Sequence, residues 1–254
     1  MVISISKIKK FKACRRAYYF KYIECLKPVQ KSEALTTGIN YHEMLEWLST
    51  HDGSFDGLDE EYSKEQAMAV AYSKYIYPAF KVKAVEEEFE YKLTDDDVLV
   101  GRFDGIAEDG CLVEHKTTGA TCLEEYEANL QRDEQILAYM LASGTRKIYY
   151  TVCKKPTIRQ KKDETDEEFF DRMVKWYDED TDSKIRLIEL ERTDAEVEEF
   201  KQELIQLCKI MQEPLYYRNT CHCSAWGGNS CEYAGICTNY DSNLSYVEFI
   251  KGKE

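Results

Sequence analysis

No stretch of this 254-residue chain is apolar for long enough to cross a bilayer as a helix. The first residues, MVISISKIKKFKAC, have neither the apolar centre nor the small-residue cleavage site of a secretory leader. The expected compartment is therefore the cytoplasm, with no membrane partner. There are no internal repeats and no low-complexity linker, so the chain reads as a single domain over residues 1–254. The motor motif G-x-x-x-x-G-K-[ST] does not occur, which excludes a fused helicase. Positive charge is also short: 34 Lys and Arg stand against 48 Asp and Glu, a net charge of −14. Phosphate neutralisation supplies most non-specific affinity for nucleic acid, so contact with it must be local on so acidic a protein. Two local basic stretches are Lys7–Lys21 and Lys154–Lys162. An excess of carboxylates, by contrast, suits a metal site.

Hydrophobic residues make up 43% of the chain, enough for a packed core. Ten cysteines are many for a cytosolic protein, where thiols stay reduced and clusters of them point to metal rather than crosslinks. Cys111, Cys153 and Cys208 lie in apolar stretches and are expected buried and inert.

The hydrophobic pattern predicts a helix from Ser4 or Ser6 to about Glu24, then helices over 34–49 and 59–80 with a loop at 51–57. These form an N-terminal helical part over 4–80. Strands are expected at 84–93, 97–107 and 111–117, a strong helix at 123–142 closed by Gly144, and a strand at 147–153. This α/β core spans about 84–155. A surface helix at 165–179, a strand at 185–190 and a long helix at 193–213 follow. Residues 217–240 read as a loop rich in Cys, Gly and Asn, within a C-terminal tail over 193–240.

The most informative stretch is VGRFDGIAEDGCLVEHKTTG, residues 100–119. Glu114 and Lys116 lie two apart on a strand and share a face. Asp104 joins them only in one hairpin register. A two-residue Asp109-Gly110 turn would set Asp104 against His115. A three-residue loop, Glu108-Asp109-Gly110 with Gly110 left-handed, sets it against Glu114, and this is the expected register. Asp104, Glu114 and the His115 carbonyl are then hard oxygen ligands for Mg²⁺ or Mn²⁺. Lys116 can orient or help deprotonate a water and neutralise a phosphate. Taken alone, D…ExK also describes a surface hairpin with alternating polar residues.

Two neighbouring pairs add to it. Gly38 and His42, four apart, share one helix face, a close-packed backbone beside an imidazole able to ligate metal. Gln135 and Tyr139 likewise share a face and can reach phosphates or bases. The order G-x-x-x-H, G-x-x-D, E-x-K-T-x-G, Q-x-x-x-Y resembles the RecB-like branch of the PD-(D/E)XK nuclease superfamily over residues 4–155. The resemblance implies a restriction-endonuclease-like fold, a mixed β-sheet flanked by helices. It implies His42, Asp104 and Glu114 as metal ligands and Lys116 as the residue assisting water, with Gln135 and Tyr139 completing the catalytic set. Phe103 stands where the superfamily name has proline.

A second constellation is CHCSAWGGNSCEYAGIC, residues 221–237, with Cys14 alone in the first helix. Nuclease domains of AddB and of the CRISPR-associated RecB-like exonucleases hold a [4Fe–4S] cluster with one upstream and three C-terminal cysteines. The resemblance implies Cys14, Cys231 and Cys237 as ligands, with Cys223 favoured over Cys221 for the shorter loop. Such a cluster would staple the helical, cysteine-rich tail to the N-terminal helix. Four thiolates also suit zinc, and unliganded thiols are the plain alternative.

Arg15, Arg16 and Tyr18 surround Cys14. Basic residues interleaved with aromatics suit single-stranded DNA, although an aromatic core face reads the same way. The expected activity is a metal-dependent exonuclease on linear DNA ends, serving recombination, repair or mobile-element processing beside a recombinase or helicase. The competing readings are an iron–sulfur-stabilised adaptor with an unused nuclease site, and an unrelated α/β zinc protein.

Overall fold

The structure, a computed structural model, describes residues 1–29, 33–58, 62–120, 122–223, 231–238 and 249–251. In chain order the elements are β1 (Val2–Ile3), α1 (Ile5–Ala13), α2 (Arg15–Tyr18), β2 (Leu26–Pro28), α3 (Glu33–Thr50) and α4 (Lys64–Tyr75). Then come β3 (Val82–Lys92), β4 (Val98–Ala107), β5 (Leu112–Thr118), α5 (Leu123–Leu130), α6 (Glu134–Ser143) and β6 (Lys147–Lys154). The last are α7 (Asp166–Glu179), β7 (Ile185–Glu191), α8 (Asp194–Met211), α9 (Ala234–Thr238) and β8 (Phe249–Lys251). They form a mixed sheet with helices against it. The chain divides into two compact units, one of residues 1–32, 90–101 and 201–254, the other of residues 33–89 and 102–200.

The larger unit holds the sheet's centre. β4 and β5 are antiparallel, β5 and β6 parallel, β6 and β7 antiparallel. A parallel strand is covered on both faces, and β5 accordingly buries five of its seven residues. On one face, Tyr41, Leu45 and Leu48 of α3 and Met68 and Tyr72 of α4 pack with Cys153 of β6 and Tyr177 of α7. On the other, α5 reaches β6 through a Tyr126–Tyr150 hydroxyl contact of 3.1 Å, and α6 reaches β5 through Gln135.

The smaller unit ties the chain's beginning to its tail. β1 lies parallel to the start of β4, and β2 is antiparallel to β8. Asn219 donates to the Ala13 carbonyl at 2.8 Å, Lys10 pairs with Glu232 at 2.9 Å, and the Tyr233 hydroxyl donates to the Leu26 carbonyl.

Four expected elements are corrected. Ser4 does cap the first helix, but Cys14 is extended (φ −163°, ψ 115°) and breaks it; α2 follows, then a single π turn at Tyr19–Ile23. The helix expected over 59–80 is α4 followed by a 3₁₀ turn at Tyr77–Ala79, since Pro78 cannot continue an α-helix. The helix expected over 123–142 is two helices. Asp133 accepts the Gln135 N–H at 3.0 Å and starts α6 as a fresh N-cap, while Gly144 closes it at φ +78°. Within 217–240, α9 and a 3₁₀ turn at Thr220–His222 are ordered, and 224–230 and 239–240 lie outside the described residues. Cys153 and Cys208 are buried as expected, but Cys111, at the mouth of a hairpin loop, is only half-buried.

Tyr18 is corrected too. It is 2% exposed and packs edge-on against Phe11 with ring centroids 5.2 Å apart, so no base can stack on it. It is core, and Tyr18→Ala is expected to cost about 3–5 kcal/mol in chemical denaturation. Arg15 is half-buried and spends its guanidinium on the rings of Phe11 and Tyr217, at 4.7 and 4.9 Å.

Candidate metal and active site

The hairpin between β4 and β5 has the three-residue loop. Ala107 donates to the Cys111 carbonyl at 2.8 Å, and Gly110 stands at φ +86°, where only glycine is at ease. Asp109 locks it, accepting from the Cys111 N–H at 2.9 Å and the Tyr149 hydroxyl at 2.7 Å. With Gly105 opposite Val113, the next pair is Asp104 opposite Glu114. Regular pairing stops there, because the Asp104 carboxylate itself accepts the His115 N–H at 2.8 Å.

Glu114 is 1% exposed. Its Oε1 accepts from the Lys116 ammonium and from Gln135 Nε2 at 2.8 Å. Its Oε2 is buried with no hydrogen-bond partner. Burial, then the nearby Asp104 charge, push the Glu114 carboxyl up, against the pull of Lys116. For Lys116, burial acts downward, but Glu114 and Asp104 outweigh it and hold the ammonium above its ordinary range. Gln135 also donates to the Tyr139 hydroxyl, which donates to the Arg102 carbonyl, both at 2.8 Å. Tyr139 is thus buried scaffolding, wedged edge-on against Phe103 at 5.2 Å.

α3 brings His42 from the other side. The His115 carbonyl can only accept, so its 2.9 Å contact places the proton on His42 Nε2. Its Nδ1 lies 3.7 Å from Asp104 Oδ1. The His115 carbonyl, expected as a metal ligand, accepts this hydrogen bond from His42. The His115 ring is core: its Nδ1 lies 2.7 Å from the Thr151 hydroxyl, and burial pulls its pKa down to about 3.

Glu86 was not anticipated. His42, Glu86 and Asp104 offer ligand atoms all within 4.8 Å of one another, and among the described residues no other group of His, Cys, Asp and Glu does. Glu86 sits at φ +52° in β3, a kink that re-aims its side chain. The sequence signal was the acidic run Glu86-Glu87-Glu88 inside a strand, where strict alternation cannot satisfy all three. Glu86 pairs with Arg102 at 2.5 Å. Burial raises its pKa, Arg102 opposes this, and Asp104 adds to it.

These groups open onto a cavity of about 650 Å³ lined by Ala34, Leu35, Gly38, Ile39, His42, Glu43, Glu46, Glu86, Arg102, Asp104 and Tyr139. Four carboxylates face a single guanidinium there, a lining that attracts cations before it admits any anion. One imidazole and hard oxygens suit Mg²⁺ or Mn²⁺, and the orphaned Glu114 Oε2 beside them is the acceptor that a cation would satisfy. Residues 2–75 match the sequence model of the PD-(D/E)XK nuclease superfamily. That match covers less than a third of the chain. The matched span holds Gly38 and His42, and the folded chain adds Asp104, Glu114 and Lys116 to them. No curated protein matches the chain. Among solved structures it is similar to an alkaline exonuclease from Laribacter hongkongensis (14% identity, 72% of this chain and 71% of that one, TM-score 0.39). It is also similar to the protein SSO0001 (14%, 85% and 79%, 0.43) and to a phage-related exonuclease from Haemophilus somnus 129PT (13%, 73% and 87%, 0.38).

The buried carboxylate makes a stability prediction. Glu114→Gln removes a charge held out of water, while Lys116, 31% exposed at its side chain, can turn to solvent. In chelator the variant is expected to be more stable than wild type by about 1 kcal/mol, while losing metal-dependent activity. Thermal melts with and without Mn²⁺ check both halves.

Proposed function

We propose that this protein is a divalent-metal-dependent deoxyribonuclease of the RecB-like branch, acting from the ends of linear DNA. The observation that carries the reading is the convergence of His42, Glu86 and Asp104 on one cavity, with buried Glu114 and its partner Lys116 on the neighbouring strand β5. A bound Mg²⁺ or Mn²⁺ would acidify a water and offset charge on the phosphate. His42, Asp104 and Glu114 would hold it, with Glu86 as a fourth carboxylate within reach. Lys116, anchored on Glu114, orients the attacking water and faces the phosphate's growing charge. Gln135 holds Glu114 in place, and Tyr139 fixes Gln135 to the backbone of β4. Arg102, 59% exposed at its side chain, offers the phosphate a guanidinium at the cavity's rim.

The same proposal gives the smaller unit a [4Fe–4S] cluster on Cys14, Cys223, Cys231 and Cys237. Burial raises the Cys231 and Cys237 thiols, and each also feels the sulfurs of Cys14 and Cys223. Cys221 is exposed while Cys223 is half-buried, which favours Cys223 as the fourth ligand. Among the described residues no three sulfurs lie within 4.8 Å of one another. Arg15 and Arg16 remain proposed DNA contacts without Tyr18. Among the described residues no helix is long and apolar enough to cross a membrane. The proposal places the protein in the cytoplasm, beside a recombinase or helicase that supplies or receives the strand.

The test is degradation of end-labelled linear and closed circular DNA with Mn²⁺, by protein purified anaerobically. Loss of linear DNA alone supports an exonuclease. Cutting of circles replaces the end-dependent mode with an endonuclease. Protein that is folded and metal-loaded but inert on single and double strands overturns the enzyme and leaves an adaptor.

A further inference from the structure

Gly38 is the sixth residue of the 18-residue helix α3, where glycine weakens a helix relative to alanine. The expected reason was close packing of the helix backbone. The structure removes it: a β-carbon built on Gly38 meets nothing within 4 Å. Gly38 instead lines the catalytic cavity, one turn from His42. Leu35 and Ile39, 53% and 37% exposed, flank it on the same lining. The run from Ala34 to Tyr41 carries no charged side chain, on a protein of net charge −14. It is therefore a lining segment with no negative charge to turn a polyanion away, and at Gly38 it has no side-chain bulk.

We infer that the substrate strand crosses α3 at Gly38, its sugar-phosphate backbone seated against the bare helix and its neighbouring sugars lying on Leu35 and Ile39. Gly38 is then a positioning residue: it keeps the strand low enough for a phosphate to reach the His42–Asp104 cluster. The inference rests on the nuclease reading and deepens it. It has an unusual signature, because any side chain at Gly38 should help the fold and harm the activity.

The experiment compares wild type with Gly38→Ala and Gly38→Leu, using end-labelled single-stranded DNA with Mn²⁺, thermal melts, and Mn²⁺ titration without DNA. Both variants are expected to melt about 2–4 °C higher, from helix propensity alone. Manganese affinity should stay within twofold. The kcat/KM should fall at least tenfold in Gly38→Ala and further in Gly38→Leu, chiefly through KM. Variants that keep wild-type kcat/KM overturn the inference while leaving the nuclease reading standing. Variants that melt lower than wild type overturn it as well, since Gly38 then serves the fold. Wild-type protein that neither binds nor cuts DNA removes both together.

Discussion

Lys116→Ala is expected to lower the rate of Mn²⁺-dependent DNA degradation by about 10²–10³-fold or more, with the fold intact. Among the described residues Lys116 is the one cation hydrogen-bonded to Glu114, a carboxylate that burial and Asp104 both disfavour. Without it, Glu114 has only Gln135 to answer its charge. Two losses then compound: the ammonium no longer faces the phosphate, and Glu114 is more readily protonated and a poorer metal ligand. Lys116→Arg keeps the charge, but its planar fork does not reproduce a point charge resting on Glu114, so it should rescue little. Single-turnover cleavage of end-labelled DNA at saturating protein separates this from a binding defect. A variant within threefold of wild type would remove Lys116 from the chemistry. A variant that is inert but still binds DNA in Ca²⁺ as wild type does keeps it there.

What the sequence made legible was strictly local. Gly110 and Gly144 announced their left-handed turns, because few other residues tolerate them. The three-residue loop then fixed which face Asp104 takes. Strand alternation placed Glu114 with Lys116, and helical spacing placed Gly38 with His42. The missed features depend on competition between local signals or on distant pairing. Asp133 reads as one polar residue in a helix, yet its carboxylate captures an N–H and starts a new one. Cys14 breaks the first helix although the pattern around it continues. β2 and β8 are three residues each, too short for any period, and are defined by one another across more than 200 residues. Glu86 belongs to both kinds: its reversed φ breaks the alternation of β3, and its neighbours in the site come from α3 and β4. The same limit explains Tyr18, since an aromatic between two basic residues looks alike on a core face and on a DNA-binding one.

Cys14→Ser is expected to strip iron and sulfide from anaerobically purified protein and to lower its stability by about 3 kcal/mol or more, roughly 6–12 °C in Tm. The size follows from chain topology. Cys14 and Cys237 stand more than 200 residues apart, so ligands shared between them close a long loop and withdraw much of the unfolded chain's freedom. Contacts that hold the tail to the N-terminal segment without a cluster include Asn219 on Ala13, Lys10 on Glu232, Tyr233 on Leu26, the short β2–β8 ladder and the packing of Tyr233 against Cys14, Ala17 and Phe20. The polar ones are partly solvated and individually worth little, so the staple is expected to add substantially to them. Serine keeps the size of Cys14 and can still accept the Asn219 N–H that its sulfur takes at 3.3 Å, which leaves the lost ligand as the main change. Cys221→Ser, at an exposed thiol, is the matched control and should keep both iron and Tm. Zinc in place of iron would keep the staple and change its chemistry. A Cys14→Ser protein with wild-type metal content and melting would leave these thiols unliganded, and the tail would then be held by its hydrogen bonds, ion pair and packing.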